Sequence, residues 1–182
     1  YRNSGSVVKV AKDEYDKFWD GVQNYGNRTN YDKVFNYWGG VEYISPKHTI
    51  APTSKTTFLF SRCFDLKGID GSKFDFSGLP EDYTEYNGTI YAMFNECHSI
   101  TQIPDLKIPP TLSYAYFCAN CKNLVTVDIL RVSKNSKFDG TFLGCKALKN
   151  LTIEGQIGQN FYLSSSSQLT HDSLMSIINA LY

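Results

Sequence analysis

No sign of charge predominates in this chain: 18 basic and 18 acidic residues cancel, and no Lys/Arg-rich run breaks the balance. A nucleic-acid or anionic-membrane footprint needs clustered positive charge, so neither partner is expected. No apolar run reaches the roughly 18 residues of a spanning helix, and the opening YRNSGSVVKV lacks the apolar stretch of a signal peptide. Histidine is scarce, at three residues. His48 has no second His, Cys or carboxylate at ligand spacing, which makes it a loop residue rather than a metal ligand. GxSxG, HExxH, P-loop and GxGxxG signatures are all missing, and the carboxylates show no spacing that separates a catalytic pair from a solvated surface. The expectation is therefore no enzyme, no cofactor and no metal.

What the chain does have is an internal repeat. Cys97, Cys121 and Cys145 recur at a constant interval (121 − 97 = 145 − 121 = 24). Each lies three residues after Phe94, Cys118 or Phe142 and three before Ile100, Leu124 or Leu148. A fourth copy, Phe60, Cys63 and Leu66, lies one period plus ten upstream (97 − 63 = 34). A period of 24 falls in the leucine-rich-repeat range. The fold expected is thus an α/β repeat: a leucine-rich-repeat solenoid of about four to five rungs, with these residues stacked as an internal core ladder and helical caps at both ends.

Cysteine suits such a ladder because it is small and behaves as an apolar residue, so it fits a corner that a ring would overpack. Five cysteines at this spacing do not resemble a secreted disulfide framework. Cys118-Ala119-Asn120-Cys121 is a CxxC, the form of a redox dithiol or half a zinc site, yet it has neither further ligands nor a βαβ setting. Its two thiols are read as core. His98 follows Cys97 directly, and neighbours on an extended chain face opposite ways, so a Cys-His nucleophile is not expected.

Three segments flank or interrupt the repeat. Residues 1–54 are expected to form an N-terminal helical cap and crossover. Val8, Ala11, Tyr15, Phe18 and Val22 make one helical stripe, and YDKVFNYW makes a second, shorter helix packed through Phe35 and Trp38. The repeats then fill 55–163, with an insertion at about 70–89 punctuated by Gly71, Gly78, Pro80 and the pair Asn87-Gly88. Insertions collect on one face of a repeat, which makes Glu81, Asp82, Tyr83, Glu85 and Tyr86 the first candidate partner-binding patch, with His98 beside it. Residues 164–182 are expected to be a capping helix, with Thr170 as N-cap and Leu174, Ile177, Ile178 and Leu181 as its apolar stripe. The sequons at Asn27, Asn87 and Asn150 are common by chance, and Leu151 belongs to the ladder.

The phrases FNECHSITQI, CANCKNLVTV and FLGCKALKNL resemble the BspA-type leucine-rich repeats of bacterial surface proteins. EYDKFWDGVQNYGNRTNYDKVF, LKNLTIEGQIGQNF and LTHDSLMSIINALY resemble flanking blocks of such proteins in gut Firmicutes and their phages. Cys118 departs from the usual Phe, and the spacing before Cys97 is long. The resemblance implies a non-enzymatic binding or adhesion module that presents a rigid surface to a protein or glycan on a cell surface, either in a bacterial surface protein or in a phage host-attachment component. Its location would be extracellular, on the cell surface or in a virion. A structural protein that assembles through its N-terminal helix is the other reading, and oligomeric state stays open.

Overall fold

The structure is a computed structural model that describes residues 8–9, 34–46, 49–80 and 89–181. Among the described residues five strands are two residues long, β1 (Val8–Lys9), β2 (Trp38–Gly39), β3 (Tyr43–Ile44), β4 (Gly68–Ile69) and β5 (Gln102–Ile103), and two are longer, β6 (Thr126–Val132) and β7 (Asn150–Gly155). They pair in parallel within three separate sheets, β1-β2, β3-β4 and β5-β6-β7. One α-helix is present among them, α1 (His171–Ala180).

This corrects the expected fold. The chain is not a helix-capped leucine-rich-repeat solenoid, because among the described residues three small parallel sheets and one helix stand in place of a continuous strand stack with helical caps. Val8–Lys9 is strand rather than helix, and the rest of the expected first helix lies outside the described residues. Residues 34–37 form a turn that leads into β2, so the second, shorter helix is absent from the described part of its span. Tyr37 there has φ +63°, a left-handed backbone that no right-handed helix tolerates.

The same left-handed backbone recurs before Cys63, Cys97, Cys121 and Cys145. Phe58 and Arg62, Ala92 and Glu96, Tyr116 and Asn120, and Gly140 and Gly144 all have positive φ. Each pair is four residues apart, and the second member directly precedes a ladder cysteine. A left-handed residue turns the chain back on itself, so these stretches run as consecutive reverse turns. Ser61 N donates to Phe58 O at 3.1 Å and Cys63 N to Phe60 O at 3.2 Å, which closes the turns locally. Alternate amides reach the next copy instead: Phe58 N to Tyr91 O, Phe60 N to Met93 O and Arg62 N to Asn95 O, at 2.8–2.9 Å. Turns, rather than strands, tie these segments together.

The sequence interval survives as a register. Gln102 pairs with Thr126 and Thr126 with Asn150, and isolated bridges join Ser113 to Lys137 and Ile157 to Leu181, each pair one repeat interval apart. Side chains stack accordingly. Phe35 lies on Phe60 with ring centroids 5.2 Å apart and planes at 4°, and Phe60 lies on Phe94 at 5.0 Å and 16°. Where Cys118 replaces the aromatic, Phe117 meets Phe94 edge-on at 5.5 Å and fills the space from one residue away.

The first half of the expected insertion is also core rather than loop. Phe74, Phe76 and Leu79 are buried, Phe74 bridges Ile50, and Phe76 N donates to Leu106 O at 3.0 Å. At the far end α1 is capped as expected, Thr170 Oγ1 accepting from Ser173 N at 3.3 Å. Its orientation is not as expected. Leu174, Ile178 and Leu181 are 45, 55 and 58% exposed, while Ser173, Ile177 and Ala180 face inward. The reason is the open edge of β7. Leu151 N donates to Ser173 Oγ at 2.9 Å and Ile153 N to Ser176 Oγ at 2.8 Å, so two hydroxyls stand in for a neighbouring strand.

Candidate functional site

Every ladder cysteine is buried and unoxidised, and each thiol has a defined partner. Cys63 Sγ donates to Phe35 O, Cys97 Sγ to Phe60 O, Cys121 Sγ to Phe94 O and Cys145 Sγ to Cys118 O, at 2.9–3.0 Å. Cysteine is thus more than a small apolar filler here: its S–H reaches the carbonyl of the residue that leads the preceding copy. Within the CxxC, Cys118 Sγ points the other way, to Thr141 O at 3.2 Å. Burial pushes the Cys63 thiol up to about 12 and the thiols of Cys97, Cys118 and Cys121 well above their ordinary range. A thiolate is the nucleophile and the metal ligand, so these sulfurs are poor at either task.

Iodoacetamide at mildly alkaline pH is accordingly expected to modify none of the five thiols in the folded protein and all five after denaturation. Cys121→Ala removes a buried side chain and its donor, and denaturant titration should show a loss of about 1–3 kcal/mol. An unchanged midpoint would mean that Cys121 is not a ladder position.

Of the residues expected to meet a partner, Glu81, Asp82, Tyr83, Glu85 and Tyr86 lie outside the described residues. His98 is half-buried with its ring 5.1 Å from that of Phe64, a packing contact. Cys97 beside it is engaged with Phe60 O, so the two do not form a nucleophile pair. Asn150 donates to Thr126 Oγ1 at 3.1 Å. The remaining ladder residues, Phe60, Leu66, Phe94, Ile100, Leu124, Phe142 and Leu148, are buried. Among the described residues no group of three or more His, Cys, Asp or Glu is arranged to hold a metal ion. No described helix is long and apolar enough to cross a membrane.

The outer face of the strands carries a concavity. An open groove of about 290 Å³ runs between β3-β4 and β5, lined by Tyr43, Lys67, Gly68, Ile69, Thr101, Gln102 and Pro104. His98 is not among its lining residues. The groove takes its shape from two glycines. Gly68 is the register partner of Tyr43, and a Cβ there would stand 3.3 Å from the tyrosine ring. Without one, the ring overhangs bare backbone and stays 55% exposed. A Cβ on Gly71 would come within 2.8 Å of Pro104 Cβ, so glycine there lets Pro104 close the opposite wall.

Backbone bonding makes the groove rigid. Thr101 N donates to Lys67 O at 3.2 Å, and Val125 N and Thr126 N both donate to Thr101 O, at 2.8 and 3.1 Å. The polar rim is held in the same way. Lys67 Nζ pairs with Glu42 Oε2 at 2.8 Å, and Gln102 Nε2 donates to Asp128 Oδ1 at 2.7 Å. Tyr43 offers a flat ring, Lys67 an ammonium, Thr101 a hydroxyl and Gln102 an amide. Groups of these kinds are the ones that orient ligands in binding sites generally.

Two other surface features are less suited to a ligand. Arg131 bonds Asp105 in bidentate fashion at 2.6 and 2.9 Å and reaches Glu154 at 3.3 Å, while the Tyr114 hydroxyl donates to Arg131 O. The Arg131 hydrogen bonds hold Asp105 below the usual carboxylate range. Each charge in that row is already satisfied, and the row braces β5, β6 and β7. A shallower hollow of about 170 Å³ lies by Lys137, Asp139, Asn160 and Tyr162, where Asn160 Nδ2 donates to Tyr162 Oη at 3.1 Å.

No motif or periodicity singled out Tyr43, Lys67, Gly68 or Gln102. The available signal was small: Tyr43 and Gly68 are separated by close to one repeat (68 − 43 = 25), and both are outward positions. Comparison of the chain with protein-family models, with curated proteins and with solved structures finds no match.

Proposed function

We propose that this chain is a non-enzymatic recognition module that binds a saccharide displayed on a cell surface, and that the Tyr43 groove is where it binds. One observation carries the reading: a half-exposed tyrosine ring overhangs a floor cleared by Gly68, on a face held by backbone hydrogen bonds. The C–H face of a pyranose ring is weakly positive and stacks on the negative face of an aromatic ring. Its hydroxyls need donors and acceptors at the edge of that ring, and Lys67, Thr101 and Gln102 supply them. A rigid site lowers the ordering cost of binding, which matters for a ligand as weakly apolar as a sugar. The repeat resemblance, with its surface and adhesion proteins, supports the same reading.

A glycan array probed with the full chain tests it. Tyr43→Ala is expected to weaken any array hit by at least about tenfold, the equivalent of about 1.4 kcal/mol. Gly68→Val, whose Cβ would press on the ring from 3.3 Å and displace it, should do the same. Melting temperature should barely change in Tyr43→Ala because the ring is half exposed. Retained binding in both variants would remove the groove from consideration, and a wild-type chain silent across the array would overturn the reading.

A further inference from the structure

From the ammonium that lines the groove, we infer that its ligand is an acidic saccharide, one whose ring carries a carboxylate; this rests on the saccharide reading above. Among the described residues, Lys67 is the one charged side chain that lines the groove. Its partner Glu42 does not line it, and both members of the pair are more than half exposed, at 61 and 64%. Exposed pairs of this kind contribute little to stability, so the pair opens or shares at little cost. An ammonium has three donors, of which Glu42 takes one. A sugar carboxylate beside Tyr43 would take another, with the pyranose face on the ring and a hydroxyl at Gln102.

With zero formal net charge on the whole chain, discrimination between acidic and neutral sugars has to come from this local arrangement. Glu42 then has a definite role. It competes with the ligand for Lys67 and moderates affinity, so removing its charge should strengthen the binding of acidic sugars. A lysine present only to brace Glu42 would predict no such gain.

Calorimetric titration of the full chain with 3′-sialyllactose, a hyaluronan tetrasaccharide, lactose and maltotetraose tests this. At least one acidic probe is expected to bind about fivefold or more tightly than both neutral ones, and which acidic probe wins separates sialate from uronate recognition. Glu42→Gln should raise affinity for that probe about two- to fivefold, and Lys67→Gln should lower it about tenfold. Raising the salt concentration should erode the preference. Equal affinity for acidic and neutral probes, or an acidic preference that survives Lys67→Gln, would overturn the acidic inference and leave the saccharide reading standing. Absence of binding to all four probes together with a silent glycan array, or full binding by Tyr43→Ala, would overturn both.

Discussion

Gly155→Ala is expected to cost about 3–4 kcal/mol, a large share of the roughly 5–15 kcal/mol that holds a domain folded. Two effects add. Gly155 has φ +111°, where an L side chain is strained even in open space. Space is also lacking, because an added Cβ would overlap the carbonyl oxygen of Val132, its own register partner. That oxygen cannot retreat easily. Val132 is buried, and β6 is hydrogen-bonded to both β5 and β7. Shifting either strand would also strain the adjoining pair, Arg131 with Glu154.

Gly144→Ala makes the useful contrast. Its φ is +74°, and the nearest atom to an added Cβ is Asn120 Oδ1 at 2.6 Å, the end of a side chain that can swing away. A loss of about 1–2 kcal/mol is expected there, from left-handed strain and a modest clash. Guanidinium titrations of both variants check the order. A Gly155→Ala protein as stable as wild type would show that the chain leaves β7 by another route.

Removing both serines from the inner face of α1 should have the second largest effect, and of a different kind. Ser173→Ala with Ser176→Ala leaves the amides of Leu151 and Ile153 without acceptors at a covered strand edge. An unsatisfied buried donor such as the Leu151 amide costs about 1–3 kcal/mol, and the part-buried Ile153 amide less. Without these bonds α1 holds the edge less firmly, and an uncovered strand edge is a template for pairing with another chain, so the double variant should self-associate more than the wild type does. Hydrogen exchange should show the Leu151 and Ile153 amides losing protection first, and sedimentation should show larger species at high concentration. Unchanged protection at those two amides, with stability within about 0.5 kcal/mol of wild type, would show that the hydroxyls do not cap the edge.

The serines also show why sequence reading placed α1 correctly and turned it the wrong way round. Leu174, Ile177, Ile178 and Leu181 form a helical stripe, and burial of apolar area is the usual guide to which face lies inward. Here the neighbour is the unpaired edge of β7, which needs hydrogen-bonding groups more than apolar ones. Ile177 and Ala180 go inward with the serines, and Leu174, Ile178 and Leu181 stay exposed. Helical periodicity cannot register that demand, since it arises from another part of the chain.

The repeat interval, the buried ladder and the thiols' place in it were all legible, because equivalent residues at a constant spacing must meet one another if the copies stack at all. Phe60, Cys63, Phe94, Cys97, Cys121 and Cys145 announce that stacking by identity alone. The architecture built on the interval was not legible. Whether copies join through strands or turns depends on backbone dihedrals at Phe58, Arg62, Ala92, Glu96, Tyr116 and Asn120, none of which is a glycine to betray a positive φ. Those residues accept left-handed strain because the hydrogen bonds from the next copy hold them there, a tertiary cause with no local signature. The groove has the same origin: Tyr43, Gly68 and Gln102 are ordinary residues singly, and line a groove only when register sets a ring over a glycine and an amide across from it.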